Sequence, residues 1–550
     1  MALMNISFVS SYLYENDDLF YSWSEFSDFE DRLSSHLDFL KSVRYDLRGG
    51  DREHDNLIML LQDFNWTLRQ LTPTPTIDVV DRRVFELMTK DITRDVDRTR
   101  RLEEGATREA LLSKDKRERA RYNDLSKLAN FGLATQASNA EMSRKKIFSI
   151  ADFSFDSPYY FDKNTTLARL FDYPFKHQSR LVLVEWMALS KSASTSSILE
   201  TLDETKVTWY ILHAEKPQKI LLPATIGLIF DEASPRSIGL VYQLPPHIRG
   251  NLPTKTGGRI VRSPKAIAAE RMPTSLRQLI LKKDPDCSDL GIRFKLAKQL
   301  VDAVYMMHAT KFTHRYPLLP LASGPPAFEE QLNSFLFPLF RNIRPDNILL
   351  FPSAGPNGDP DPSRLDYDNP VLFGFHDARL EIQISTDPPP SHTQPTGIKP
   401  ILKNPHRRPA RDVVLDCYTH PERRIALAAA ANPRTNAPTP SFRRQHDLYS
   451  VGCVLLELGL WETLDAVSGR EIGLRAPLVA DVEELGGVVV GEEAVWKDAE
   501  VVRRVARGLD VITGSVYAEV TRMYLSLNPI SGDLLEFERR AAAMLAQIAA

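Results

Sequence analysis

The most specific chemical string in the 550-residue chain is Arg341-Asn342-Ile343-Arg344-Pro345-Asp346-Asn347-Ile348-Leu349-Leu350, where two guanidiniums, two amides and a carboxylate precede an apolar run. Asn342 is an amide and takes up no proton at neutral pH, so it cannot act as a general base. Downstream, Val371-Leu372-Phe373-Gly374-Phe375-His376 carries no acidic residue, and the first carboxylate after it is Asp377. Tyr418-Thr419-His420-Pro421-Glu422 and Gln445-His446-Asp447-Leu448-Tyr449-Ser450-Val451-Gly452 each bring one carboxylate. Upstream, Glu185 follows the run Leu181-Val182-Leu183-Val184, where its charge repels phosphate, and residues 163 to 180 contain no glycine that could cradle one. Cys287, Cys417 and Cys453 are too scattered for a disulfide framework or a metal spacing and fit ordinary thiols in a reducing compartment.

The elements that must position these groups change character along the chain. Phe26, Phe29, Leu33, Leu37 and Leu40 recur at helical spacing, as do Leu57, Leu61, Phe64, Leu68 and Leu71. Arg48-Gly49-Gly50 separates these helices, and Thr72-Pro73-Thr74-Pro75-Thr76 stops the second. A charged helical region follows from about Val79 to Asn139, so residues 1–140 read as an all-α domain. From about residue 145 strands take over: Leu181 to Trp186, then Ala224 to Phe230 and Ser237 to Leu244 as an antiparallel pair across DEASPR. Apolar stripes at Ile292, Leu296, Leu300, Ala303, Val304 and Met307, and at Leu448, Val451, Leu455 and Leu458, then mark helices. Strands followed by helices imply an α+β fold of two lobes with a cleft between them. Residues 316–340, 386–411 and 426–440 have the composition of inserted irregular loops.

In this order the motifs resemble those of protein kinases. The 341–350 string is similar to the kinase catalytic loop H-R-D-L-K-P-x-N with its following apolar strand. The resemblance places Asn342 where the catalytic Asp belongs, Arg344 where a Lys meets the transferred phosphate, and Asn347 on the second magnesium. Gly374 would replace the magnesium-binding Asp of D-F-G, with Phe375 as that motif's Phe and Asp377 three residues out of place. Glu185 would replace the strand Lys that pairs with nucleotide phosphates; a two-residue shift puts Met187 there instead, and neither does that work. Gln243-Leu244-Pro245 is the expected hinge, with a backbone able to accept an adenine. Glu422 would close the activation segment through an ion pair, and Asp447 would anchor Arg341 and its neighbours. Met306 to His314 resembles the lead-in to the catalytic-loop His, so deleting 315–340 would join His314 to Arg341. Either a real insertion or a translated intron accounts for that segment. The whole set is similar to a group of filamentous-fungal kinase-like proteins in which a helical domain, often of the HeLo or prion-inhibition type, precedes a degenerate kinase domain.

The resemblance implies a bilobal kinase-like fold over 145–550, with a small lobe at 145–243 and a large lobe at 247–550. It also implies signalling in self/non-self recognition or regulated cell death. The losses at Asn342, Gly374 and Glu185 point to a pseudokinase acting as switch or scaffold, with ATP and magnesium only weakened ligands. Two alternatives stand beside it: an atypical active kinase using Asn347, Arg344 and Asp377, and a helical effector with a kinase-like sensor. A net charge of -3 makes no electrostatic case for nucleic acid. Contents of 43% hydrophobic and 26% charged residues are those of soluble globular protein. No run reaches the ~18 apolar residues of a membrane span, and MALMNISFVSSYLYENDD lacks a basic leader. The expectation is therefore a cytoplasmic protein with protein partners. A membrane-surface role of the N-terminal helices has no separate support in the sequence.

Overall fold

The computed structural model describes residues 96–113, 116–134, 147–154, 165–171, 179–189, 195–230, 237–249, 272–284, 289–309, 336–339, 343–356, 359–374, 379–382, 417–425, 444–464, 466–467, 502–503, 505–526 and 534–548. The expected helices over 20–71, the expected loops 386–411 and 426–440, and His314, Arg341, Asn342, Phe375 and Asp377 lie outside them. The chain divides into two compact units, Met1–Arg98 and Thr99–Ala550, and nearly all described residues belong to the second. Helices α1 (Val96–Leu112) and α2 (Lys116–Ala134) open this part, and α2 shares the second unit with everything that follows.

Six strands form one sheet: β1 (Ile147–Phe148), β2 (Phe153–Ser154), β3 (Thr165–Phe171), β4 (Ser179–Ala188), β5 (Thr225–Phe230) and β6 (Ser237–Gln243), in the order β1-β5-β6-β4-β3-β2. Helix α3 (Thr195–His213) leaves β4 and packs on β5 and β6. The chain then returns through the β5–β6 hairpin, and β6 pairs beside β4. The two-residue strand β1 runs parallel to β5 and covers that edge of the sheet, where unpaired backbone would otherwise be open to other chains. Alternation along the strands sorts the side chains by face. Val182, Val184, Ala168, Leu170, Ile229 and Val241 form a core with Phe148 and Phe153 on one face. Leu181, Leu183 and Glu185 therefore lie on the other, and all three are buried.

After α4 (Pro246–Arg249), strand β7 (Thr274–Ser275) leads into α5 (Leu276–Lys282). Ser275 and Gln278 cap that helix reciprocally, each side chain meeting the other's backbone N–H, so two donors that helix geometry leaves open are satisfied. Helix α6 (Leu290–Ala309) buries Leu296, Leu300, Ala303, Val304 and Met307 of the stripe expected from the sequence, while Ile292 in its first turn is only partly buried. Strand β8 (Leu336–Leu339) falls inside the segment expected to be irregular and pairs antiparallel with β13 (Arg379–Ile382). Strands β9 (Ile348–Leu350) and β12 (Val371–Leu372) join β7 in a small sheet, and β10 (Pro352–Ala354) pairs with β11 (Pro360–Leu365).

The C-terminal part is helical: α7 (Arg444–Leu460), α8 (Asp510–Thr513), α9 (Ser515–Tyr524) and α10 (Leu534–Ile548). Helix α6 packs on α7 and α10, and α9 packs on both α7 and α10. Gly452 lets α7 meet the end of α9 closely, because a Cβ there would lie 2.9 Å from the backbone carbonyl carbon of Tyr524. Among the described residues, no helix is long and apolar enough to cross a membrane.

Candidate functional site

A continuous line of contacts runs from the sheet to the catalytic-loop string. Glu185 on β4 stands opposite Leu240, so Tyr242, two residues along β6, is its diagonal neighbour on the same face. The Tyr242 hydroxyl donates a 2.6 Å hydrogen bond to Glu185 Oε2. Both side chains are sealed from solvent, Glu185 at 1% and Tyr242 at 0% exposure. Burial, together with the neighbouring carboxylate, pushes the phenol's pKa well above its usual value, so it stays a donor. The Tyr242 ring meets Phe373 edge to face, with centroids 5.0 Å apart. The Phe373 N–H in turn donates to the Asn347 carbonyl at 2.7 Å.

Local sequence explains each placement. Arg344 is extended, and Pro345 starts the short 3-10 turn to Asn347, whose N–H closes on Arg344 O at 3.0 Å. The apolar triplet Ile348 to Leu350 then drops into the interior as β9, leaving Asn347 buried and Arg344 half-buried. On β12, Leu372 N–H donates to Leu221 O, and Gly374 turns the chain with φ of 100°. A side chain at that φ is strained, so glycine here serves the backbone. At the expected hinge, Gln243 N–H is spent on Ala224 O at 2.7 Å, Leu244 is buried and Pro245 has no N–H. Met187 lies two residues past Glu185, and its sulfur accepts from Thr205 of α3 at 3.8 Å.

The two more distant carboxylates sit in a second cluster. Asp447 on α7 is 1% exposed, and its Oδ2 lies 3.3 Å from His308 Nε2. The other ring nitrogen, His308 Nδ1, is 2.5 Å from Glu538 Oε1 on α10. Burial alone would lower the imidazolium's pKa, but the two carboxylates outweigh it and raise it to about 9. Burial also pushes Asp447 up to about 6, against the pull of His308. Arg444 donates to the His308 carbonyl at 3.1 Å, tying the start of α7 to the end of α6. Glu422 is half-exposed and faces the first turn of α7: Gln445 Nε2 donates to it at 3.1 Å, and His446 Nε2 lies 3.8 Å away.

The structure thus gathers Glu185, Asn347 and Gly374 around Tyr242 and Phe373, while Asp447 and Glu422 belong to the helical part. Sequence reading passed over Tyr242, His308 and Glu538. The signals were slight: a tyrosine closing an apolar strand, a histidine at the end of the α6 stripe, and a glutamate on the buried face of α10. No protein-family model matches the chain. No curated protein matches it either.

Proposed function

We propose that the chain is a pseudokinase: a catalytically impaired, bilobal protein kinase-like protein that acts as a switch or scaffold in recognition or cell-death-type signalling. The observation that carries this reading is the buried Glu185–Tyr242 hydrogen bond capped by Phe373. A kinase needs an ammonium at the place of Glu185 to hold phosphates. A buried carboxylate locked to a phenol cannot stand in for it. The path of the chain favours the kinase-like fold: three antiparallel strands, a helix, a hairpin returning beside the third strand, then the helical part. The spacing of the four motifs along the chain adds to this.

The residues do not fit a magnesium nucleotide. Gly374 offers no side chain at the position of the metal-binding Asp, and the Gln243 N–H is already committed. Asn347 and Arg344 remain, yet neither takes a proton from a hydroxyl nucleophile at neutral pH. Function then rests on conformation and on protein partners in the cytoplasm. Thermal unfolding with ATP, with and without magnesium, tests the reading. A nucleotide at a hundredfold excess over its Kd would add ~2.7 kcal/mol of stability. No magnesium-dependent shift and no autophosphorylation are expected; both together would overturn the proposal.

A further inference from the structure

Away from this site, three side chains of metal-ligating type meet where the turn 417–425 docks on the start of α7. His420, Glu422 and His446 bring their ligand atoms within 4.8 Å of one another. We propose that they form a binding site for a divalent transition-metal ion of the zinc class. The two imidazoles are 2% and 3% exposed, and the Glu422 carboxylate faces solvent, which gives an ion a way in. The rings are held in place: His420 and His446 have centroids 5.1 Å apart, and His420 also meets the Tyr449 ring edge-on at 5.3 Å. The Glu422 N–H lies 3.2 Å from His420 Nδ1, so an ion bound at that nitrogen would take over the lone pair this contact now uses.

The donor set selects the ion. Two imidazoles and one carboxylate suit zinc, cobalt or nickel, while magnesium and calcium prefer oxygen ligands. Tetrahedral zinc bonds of ~2.1 Å place donor atoms ~3.4 Å apart, so the widest pair must close by up to about 1.4 Å. Glu422 can supply part of that movement: its carboxylate is 3.8 Å from His446 Nε2, and its half-exposed side chain can rotate about its torsions. Water completes the fourth position, as in other three-ligand sites. A bound ion would cross-link the turn to α7, where Ser450 already donates to Tyr418 O at 2.8 Å.

The test titrates zinc chloride into the full chain after treatment with a chelator. One equivalent is expected to bind and to raise the unfolding midpoint. Cobalt(II) at the same site is expected to give the visible absorption of tetrahedral coordination. His446→Ala and Glu422→Gln should each weaken zinc by about tenfold or more and abolish the midpoint shift. Glu422 is half-exposed, so Glu422→Gln keeps the test open if His446→Ala does not fold. Absence of zinc uptake overturns the proposal, and so does uptake that both variants leave unchanged. The first outcome would leave His446 and Glu422 as a simple polar contact.

Discussion

The phenol of Tyr242 and the carboxylate of Glu185 form a 2.6 Å hydrogen bond where neither side chain reaches water. A buried carboxylate survives only with donors around it, so the pair behaves as one unit. Tyr242→Phe removes this donor while keeping the ring on Phe373, and should cost about 1–3 kcal/mol in urea unfolding. Replacing both partners, Glu185→Met with Tyr242→Phe, should return much of that loss, because no charge is left to solvate. A double variant as unstable as the single would sink this account.

The His308 cluster should make stability depend on pH. His308 has a folded pKa raised from 6.5 to about 9, so its contribution is fully present below about 6.5 and is lost as pH rises through about 9. Asp447, raised from 3.8 to about 6, holds its proton longer when folded, so stability also declines as pH climbs through that lower window. Chemical denaturation at a series of pH values should therefore show falling stability from about pH 6.5 to about pH 9. His308→Gln should flatten that decline.

The same substitution tests how strongly the cluster holds α6, α7 and α10 together. Without the imidazolium, Asp447 and Glu538 face each other across a dry interior. The expected loss is about 3–5 kcal/mol at neutral pH, read by urea unfolding. Adding Glu538→Gln to His308→Gln should recover part of it, since one buried charge then disappears. Additive losses would argue against the coupling.

Restoring an acidic residue at the glycine of the 371–374 segment should not restore metal-dependent nucleotide binding. Gly374→Asp forces a side chain onto a φ of 100° and should cost about 1–3 kcal/mol. Glu185 would remain where a phosphate-pairing lysine is needed. A magnesium-dependent thermal shift with ATP in this variant would contradict the prediction.

Two glycines in helices should respond in opposite directions. Gly105 on α1 has open space around it, so Gly105→Ala should stabilise by about 0.5–1 kcal/mol. At Gly452 on α7 an added methyl carbon would sit 2.9 Å from the Tyr524 backbone, so Gly452→Ala should destabilise by about 1–3 kcal/mol. Midpoints of urea unfolding compare them directly.

Much of the secondary structure was legible in the chain because periodicity is local. The β5–β6 hairpin, the α6 stripe and the α7 stripe are each written in the spacing of their own apolar residues. The identities of Glu185, Asn347 and Gly374 likewise needed no structure to read. What those residues do was another matter. That Glu185 is locked to Tyr242 depends on β6 returning beside β4 after α3, with Leu240 in register opposite the carboxylate. That His308 bridges Asp447 and Glu538 joins positions up to 230 residues apart on three helices. Sequence determined the local elements and the chemical types of the motif residues. Tertiary structure decided their partners, because burial and hydrogen bonding between distant segments exist only once the chain has packed.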